Sequence, residues 1–228
     1  MGLIHFKGNH HLFLYCKTQS EQEWIVLLGK RKRHFPFFGT RFENATFYNV
    51  TEGKLYHHSE EEMTPLHFDC GHRWKISGEK PFDFKFTFVP TFLKKRWIFF
   101  GTSFRYHLVN LFFQEGSIRG EQLDFAYGIS EQGKMPVFSL RALEMPFDYT
   151  LFLEEAGKGG LIQWKAKIAL IKDRFSWGNF PADFSRFHPK QLAQTEIPLK
   201  DWTLKREIVR VQTAQNQVWY GLKESFHK

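Results

Sequence analysis

The chain has 228 residues, of which 18% are aromatic and 27 are phenylalanine, and its formal net charge is +8 at pH 7. Burial of one phenylalanine contributes roughly 1.5 to 3 kcal/mol, so this composition excludes a disordered protein. No run of about 20 apolar residues is present, which excludes a transmembrane helix, and the positive charge favours anionic partners without specifying them.

The N-terminal segment and the cysteines indicate the cellular compartment. Residues 1–6 are too few, and too soon followed by polar residues, to form a secretory signal, so we expect a soluble, cytoplasmic protein. Cys16 and Cys70 are the only cysteines and do not make a disulfide framework. We expect both to be buried thiols.

Two basic runs lie next to aromatic residues. Their members are Lys30, Arg31, Lys32, Arg33, Lys94, Lys95 and Arg96. Cations beside a stacking surface are typical of proteins that bind single-stranded nucleic acid, and they also suit an anionic membrane surface or an anionic ligand. A charged hairpin end that keeps an aromatic-rich protein soluble explains the runs without any partner. The sequence alone does not decide among these interpretations.

A polar segment over 56–72 contains the residue types that ligate metals. The candidates for zinc or iron are His67, Asp69, Cys70 and His72. In a strand the first two would share one face and the last two the other, so a single site would need a bulge or turn at Gly71. The simpler interpretation is a solvated acidic loop, 60–62, beside ordinary histidines. We therefore predict no metal and no other cofactor.

The stretch PFDFKFTFVP, residues 81–90, has phenylalanine at every second position. Successive side chains of a strand point to opposite faces, so Phe82, Phe84, Phe86 and Phe88 would share one face. We predict that these four rings face the interior of the protein.

Similar alternation predicts further strands along the chain. Apolar residues alternate with polar or small residues over 122–129 and over 162–170. The apolar runs 208–211 and 218–220 flank the polar segment 213–217, which predicts a hairpin.

Turn signals recur at short intervals between these strands. The segments rich in glycine or small polar residues are 18–22, 51–54, 77–80, 115–117, 130–134 and 156–160. This spacing suits antiparallel meanders rather than helical crossovers. The best helix candidate is the short segment 188–193, and the irregular aromatic segment 173–199 predicts a long loop or lid.

The predicted fold is all-β, an antiparallel barrel or a two-sheet sandwich with few short helices, because both architectures hide the apolar face of the strands. We expect a single β-rich domain over 1–228, or two β lobes. Whether the interior is filled or hollow decides between a scaffold and a binder of an apolar ligand. The residues predicted to line a hollow interior are Phe82, Phe84, Phe86, Phe88, Phe125, Tyr127, Trp164 and Trp177.

The alternating strands, the lack of a substantial helix and the late aromatic loop resemble the lipocalin-like β-barrels. Within that group, DRFSWG at 173–178 is similar to the Asp, aromatic and Trp-Gly pattern of the carotenoid hydratase and AttH-like proteins, with one extra residue between Asp173 and Trp177. The resemblance implies a calycin-type barrel around an apolar cavity, with an isoprenoid or lipid-like ligand. A hydratase of that group would protonate an alkene from a buried acid, which points to Asp173.

The main functional prediction is therefore binding of a hydrophobic small molecule in a phenylalanine-rich interior. The alternative is a basic β-domain that binds nucleic acid or another anionic partner. A third hypothesis is a hydratase-type enzyme that acts on an isoprenoid.

Overall fold

The computed structural model describes residues 9–34, 39–80, 82–99, 103–134, 147–155, 160–166, 174–178, 188–199 and 202–227. The chain divides into two compact units, residues 1–140 and 141–228. The described residues form antiparallel strands, turns and one 3₁₀ turn at Glu60–Glu62, which confirms the all-β prediction. Among them, no helix has the length and apolar character that crossing a bilayer requires.

The first unit is built around one nine-stranded antiparallel sheet. Its strands are β1 (Asn9–Thr18), β2 (Glu23–His34), β3 (Gly39–Asn49), β4 (Lys54–Ser59), β5 (His67–Cys70), β6 (Trp74–Gly78), β7 (Phe84–Phe99), β8 (Ser103–Ile118) and β9 (Glu121–Lys134). Their order in the sheet is β4-β3-β2-β1-β9-β8-β7-β6-β5. Strands that pair are therefore consecutive in sequence, except where β9 pairs with β1, and the consecutive strands β4 and β5 stand at the two ends of the order.

The sheet curls so that strands far apart in its order meet across one face. The ring of Phe47 on β3 lies 5.5 Å from that of Phe84 on β7, although four strands separate them in the sheet. Phe82, just before β7, lies 4.9 Å from both Phe47 and Tyr56 on β4. Strand twist and inward aromatic rings together bring the two ends of the sheet towards each other. We call the side on which these rings lie the inner face.

The alternation at 82–88 is present as predicted, but the strand is longer than the prolines suggested. β7 runs from Phe84 through Pro90 to Phe99 and pairs with β8 over its length. Register shifts at Thr87/Phe88 and at Phe92/Lys94 mark two bulges. The two bulges lie on either side of Pro90. Proline has no N–H to donate to the strand ladder, so it disturbs regular pairing.

The second unit contains a six-stranded antiparallel sheet. Its strands are β10 (Phe147–Glu154), β11 (Gly160–Ala166), β12 (Arg174–Gly178), β13 (Lys190–Leu199), β14 (Trp202–Gln212) and β15 (Val218–His227), in the order β12-β11-β10-β15-β14-β13. Phe152, Val209, Val211 and Trp219 form its buried apolar cluster. The predicted strand at 162–170 is confirmed up to Ala166, and residues 167–170 lie outside the described part of the chain.

Two predicted hairpin turns, 18–22 and 213–217, are confirmed and have the same construction. In each, a threonine N–H donates to the carbonyl of the glutamine four positions later, at 2.9 Å. The threonine hydroxyl accepts the backbone N–H of that glutamine, at 3.1 Å in both turns. The fourth residue has positive φ, 66° at Glu21 and 59° at Asn216. The Thr-x-x-x-Gln spacing is thus a real turn signal in this chain.

Other local predictions are wrong because strand pairing overrides local turn and helix signals. Residues 115–117 lie inside β8, and the turn comes later at Arg119 and Gly120, whose φ is +80°. Residues 130–134 belong to β9, where they pair with β1 and β8. The predicted helix at 188–193 is largely replaced by β13, and 174–178 is a strand rather than loop. Cys70 is exposed, whereas Cys16 is buried as expected.

Candidate ligand-binding face

The inner face of the nine-stranded sheet is an almost continuous apolar wall. Its buried members are Leu12, Leu14, Cys16, Trp24, Val26, Leu28, Ala45, Phe47, Leu66, Trp74, Ile76, Phe82, Phe84, Phe86, Phe88, Val109, Leu111, Ile118, Leu123 and Ala126. They occupy alternate strand positions, as period-2 patterning requires when one face is covered. Burial of Cys16 raises the pKa of its thiol far above the usual range, so this sulfur is inert.

The four predicted phenylalanines form part of this wall. Phe84 and Phe86 stack at 5.3 Å, Phe86 and Phe88 lie 6.0 Å apart, and Phe113 continues the row 6.3 Å from Phe88. Phe82, Phe84, Phe86 and Phe88 are each at most 8% exposed. Centroid spacings of 4.5 to 7 Å are those of packed aromatic pairs. The rings therefore fill the space along β7 with one another.

One end of the inner face is closed by an aromatic and cationic plug. Trp24 and Phe82 meet edge to face at 6.2 Å, and the Arg119 guanidinium lies 5.2 Å from the Phe82 ring centroid and 6.0 Å from that of Trp24. Arg119 is held in the β8–β9 turn because its N–H donates to the carbonyl of Asp83 at 2.7 Å. This end is consequently packed shut.

One register row of the apolar wall contains buried polar groups, and it begins beside the plug, where the His58 ring lies 5.5 Å from that of Phe82. His58 and Ser130 lie in one register row that crosses the sheet from β4 to β9 through Ala45, Leu28 and Leu12. Their atoms His58 Nε2 and Ser130 Oγ are buried, and neither has a hydrogen-bond partner among the described residues. Burial lowers the pKa of His58 below 6.5, against an opposing effect of the Glu62 carboxylate. The imidazole is therefore neutral at pH 7.

Glu43 is a third buried polar residue, next to this row. It lies on β3 two positions from Ala45, and it is 1% exposed. Its Oε2 accepts a hydrogen bond from the backbone N–H of Leu66 at 2.7 Å. This bond links β3 to the segment that precedes β5, so the carboxylate has a structural role.

Glu43, His58 and Ser130 were not predicted from the sequence to belong to one region. Glu43 and Ser130 each continue an alternating apolar set, and His58 belonged to the polar segment assigned to the metal hypothesis. A signal was present in Glu43-Asn44-Ala45-Thr46-Phe47, where a charged residue occupies a position of the buried period. A charge in a buried period indicates either a pairing role or a site.

Phe125 and Tyr127 do not share the wall of the four phenylalanines. Ala126 pairs with Cys16 on the inner face, whereas Tyr127 pairs with Tyr15 on the opposite face. The register of β9 against β1 shifts between Lys17 and Thr18, so Leu123 returns to the inner face. The bulge interrupts the single face predicted for 122–129.

Several other predicted site residues cannot be placed in a site. Asp173 lies outside the described residues. Trp164 and Trp177 belong to β11 and β12 of the second unit by their backbone, and their side chains are outside the description. The same holds for the basic runs: 30–33 belong to β2 and 94–96 to β7. Their roles as catalytic, ligand-binding or anion-binding residues stay predictions.

The metal candidates are all described, and they lie at the exposed edge of the sheet. His67, Asp69 and Cys70 are in β5, and His72 follows in the turn before β6. All four are exposed, and among the described residues no three histidine, cysteine, aspartate or glutamate side chains are close enough to hold an ion.

No family model matches the chain, and no curated protein matches it in sequence. Solved structures do match in fold. Kievitone hydratase of Nectria haematococca superposes with a TM-score of 0.60 at 10% identity, over 96% of this chain and 88% of that protein. An AttH-type protein of Nitrosomonas europaea gives 0.55 at 11% identity, over 97% and 92%. CghA, solved with Sch210972, gives 0.54 at 8% identity, over 96% and 88%.

These similarities extend over almost the whole chain and confirm the fold implied by the resemblance to hydratase and AttH-like proteins. At identities of 8 to 11%, they do not transfer an activity. The chain thus has the lipocalin-like all-β fold of this group of proteins.

Proposed function

We propose that the chain binds an apolar small molecule against the inner face of its nine-stranded sheet. The observation that carries this proposal is the pair of buried atoms His58 Nε2 and Ser130 Oγ, which have no hydrogen-bond partner among the described residues. Each such atom costs about 1 to 3 kcal/mol of folding free energy. A polar group of a bound ligand would recover that cost, since ligand sites are apolar walls with a few placed polar groups.

The position of the two atoms supports the same proposal. They lie in one row of the sheet, separated by the apolar residues Ala45, Leu28 and Leu12. The His58 end of the row lies beside the plug, with its ring 5.5 Å from that of Phe82, and the row runs from there across the sheet to Ser130. A ligand with an apolar body and one or two polar substituents would match this row.

Similar structures provide further support. One is of a protein named as a hydratase of kievitone, and another is of CghA with Sch210972, so this fold accommodates small molecules in proteins of almost the same extent. The comparisons give no corresponding support for nucleic-acid binding.

Hydratase-type catalysis is the second candidate, and the likeness to kievitone hydratase favours it. Addition of water to an alkene needs an acid that protonates one carbon and a water that attacks the other. Asp173 is our proposed acid, so Asp173→Asn should abolish turnover of an alkene substrate while ligand affinity and folding stay unchanged. Turnover that survives Asp173→Asn would remove that residue from the mechanism.

Native mass spectrometry of the purified protein, followed by organic extraction, tests the binding proposal. We expect an apolar molecule that is released on denaturation. Retinol is a suitable added probe, because quenching of tryptophan fluorescence reports its approach to Trp24 and Trp74 on the inner face. A clean apo mass together with no saturable quenching would contradict the proposal.

A matched pair of variants locates the site. Ser130→Ala removes the orphaned hydroxyl from the inner face, and Ser77→Ala makes the same change on β6, at a half-buried position that alternates with the buried Ile76 and Gly78. We expect Ser130→Ala to weaken binding of the co-purifying ligand by about tenfold, the equivalent of roughly 1.4 kcal/mol, and Ser77→Ala to leave it unchanged. Equal effects of the two substitutions would place the ligand elsewhere.

A further inference from the structure

The row from His58 to Ser130 is polar only at its two ends. Its residues, each paired with the next, are His58 on β4, Ala45 on β3, Leu28 on β2, Leu12 on β1 and Ser130 on β9. The three residues between the ends are at most 1% exposed. Four strand spacings of about 4.8 Å separate the ends, roughly 19 Å along the sheet, and the curl of the sheet shortens the straight path. The ends are therefore two separate polar points on one apolar surface.

Ser130 presents a hydroxyl among apolar neighbours. It pairs with Leu12 on β1 and with Val109 on β8, and all three residues are 0% exposed. Its Oγ has no hydrogen-bond partner among the described residues. A charged group placed here would lose its hydration, and one hydroxyl compensates for little of that loss. A single hydrogen bond offsets much of the cost of burying a hydroxyl or a carbonyl, so this end suits an uncharged oxygen.

His58 presents an uncharged ring nitrogen at the other end of the row. Its ring lies on the inner face, 5.5 Å from that of Phe82 and 6.5 Å from that of Phe47. The Glu62 carboxylate acts on this ring, and it accepts hydrogen bonds from the Ser59 N–H at 2.9 Å and Oγ at 3.2 Å. These bonds lower the pKa of Glu62 and keep it ionised at pH 7. A ligand carboxylate or phosphate at His58 would be repelled by that charge, so this end also suits an uncharged oxygen.

We infer that the ligand is an uncharged molecule with an oxygen group at each end of a long apolar body, one end bonded to His58 Nε2 and the other to Ser130 Oγ. Its body lies along Ala45, Leu28 and Leu12. The inference rests on the proposed function, because it takes the inner face as the ligand site, and it adds the charge, the number and the spacing of the polar groups. A hydroxyl at each end serves both atoms, because a hydroxyl donates as well as accepts.

The probes 1,12-dodecanediol, 1-dodecanol and dodecanoate test the inference at pH 7.5, each measured by displacement of retinol. Hydrophobicity alone ranks 1-dodecanol above the diol, since the diol has one more hydroxyl to desolvate. We expect the reverse order, because both hydroxyls of the diol meet buried atoms that already lack a partner. The diol should bind about fivefold or more tightly than 1-dodecanol, the equivalent of one net hydrogen bond, and dodecanoate should bind most weakly. A diol that binds no more tightly than 1-dodecanol, or a dodecanoate that binds more tightly than either, would overturn the inference.

A variant at each end of the row locates the two hydrogen bonds. Ser130→Ala removes the hydroxyl, and His58→Phe removes the ring nitrogens while an aromatic ring still packs beside Phe82. We expect either substitution to lower the affinity for the diol to that for 1-dodecanol, whose single hydroxyl can use the remaining end. Ser77→Ala on β6 is the control and should keep the wild-type preference. A preference for the diol that survives Ser130→Ala or His58→Phe would overturn the inference.

The length of the diol tests whether one molecule reaches both ends. The path between them is at most roughly 19 Å, so diols of about 8 to 16 carbons cover the range. We expect the preference for the diol over the mono-alcohol of equal length to be greatest at one length and to fall on either side of it. A preference that does not depend on length would indicate two separate sites and would overturn the inference.

The outcomes distinguish this inference from the function beneath it. Saturable retinol binding without any preference for the diol overturns the assignment of two uncharged ends and leaves apolar binding in place. No binding of retinol or of any other probe, with no co-purifying molecule, contradicts both. Circular dichroism establishes that each variant is folded. If His58→Phe does not fold, Ser130→Ala against Ser77→Ala, together with the length series on the wild type, provides the same test.

Discussion

Glu43 on β3 accepts a hydrogen bond at 2.7 Å from the backbone N–H of Leu66, which precedes β5 at the far edge of the nine-stranded sheet. Both residues are 1% exposed. The bond joins chain segments from the two ends of the strand order, β4-β3 at one end and β6-β5 at the other. Curling of the sheet is thereby fixed by a polar contact as well as by aromatic packing.

Replacement of Glu43 should weaken this closure. Glu43→Leu leaves the buried N–H of Leu66 without this acceptor, so we expect the free energy of unfolding to fall by about 1 to 3 kcal/mol. Glu43→Gln keeps a carbonyl oxygen in the same place and should lose less. Urea denaturation of both variants measures the difference. Equal losses for leucine and glutamine would show that the negative charge, rather than the acceptor, stabilises this point.

Phe82 should be one of the most sensitive positions of the core. Its ring lies 4.9 Å from the rings of Phe47 and Tyr56, and 5.2 Å below the Arg119 guanidinium. Phe82→Ala opens a cavity between strands from the two ends of the sheet, so we expect a loss of about 3 to 5 kcal/mol. Phe112 on β8 is 48% exposed and provides the control. Phe112→Ala should change stability by less than about 0.5 kcal/mol. Comparable losses from the two substitutions would contradict this account of the closed end.

The fold was largely predictable from sequence because β6 and β7 are buried on the inner face and largely uncovered on the other, which makes their alternation clear. Alternation at 82–88 identified the wall, and the polar segments 18–22 and 213–217 identified two turns correctly. Turn signals at 115–117 and 130–134 failed because strands of 16 and 14 residues are held by pairing with long neighbours, which local propensity does not register.

The candidate site was less predictable, and the reason is again register. A β-bulge places Phe125 and Tyr127 on the face opposite the aromatic row, and no local pattern locates a bulge. The row of His58 and Ser130 brings together residues from strands distant in sequence. Each residue is unremarkable within its own strand, and only cross-strand pairing aligns them.

Stability should depend on pH through His58. Burial lowers the pKa of this imidazole below 6.5 in the folded chain, so the unfolded chain takes up the proton more readily. The contribution of His58 is therefore fully present above about pH 7 and declines as the pH falls through 6.5 towards the lowered pKa. We expect the urea midpoint of the wild type to decrease from pH 7 to pH 5.5, and His58→Asn to flatten that decrease. His72 is exposed in the turn before β6, so His72→Asn should reproduce the wild-type profile. A profile unchanged by His58→Asn would assign the pH dependence to other groups.

Arg206 and Glu224 form a buried ion pair in the second unit. They are direct cross-strand partners on β14 and β15, with Nε and Oε1 2.6 Å apart and side chains 4% and 3% exposed. Glu224→Ala leaves a buried guanidinium without this partner, so we expect a loss of about 3 to 5 kcal/mol. The double change Arg206→Met with Glu224→Leu should recover most of it, because apolar residues of similar volume replace both charges.

The neighbouring pair Lys205 and Glu207 is the matched control for this ion pair. Their charged atoms lie 3.3 Å apart, but the side chains are 29% and 22% exposed. Glu207→Ala should therefore cost less than about 1 kcal/mol. Hydrogen exchange of the β14 and β15 amides follows the second sheet directly. We expect Glu224→Ala to lower the protection more than Glu207→Ala, because a desolvated charge that has lost this ion pair favours opening of the strands more than a hydrated charge does. Protection that falls equally after the two substitutions would show that burial does not distinguish the two pairs.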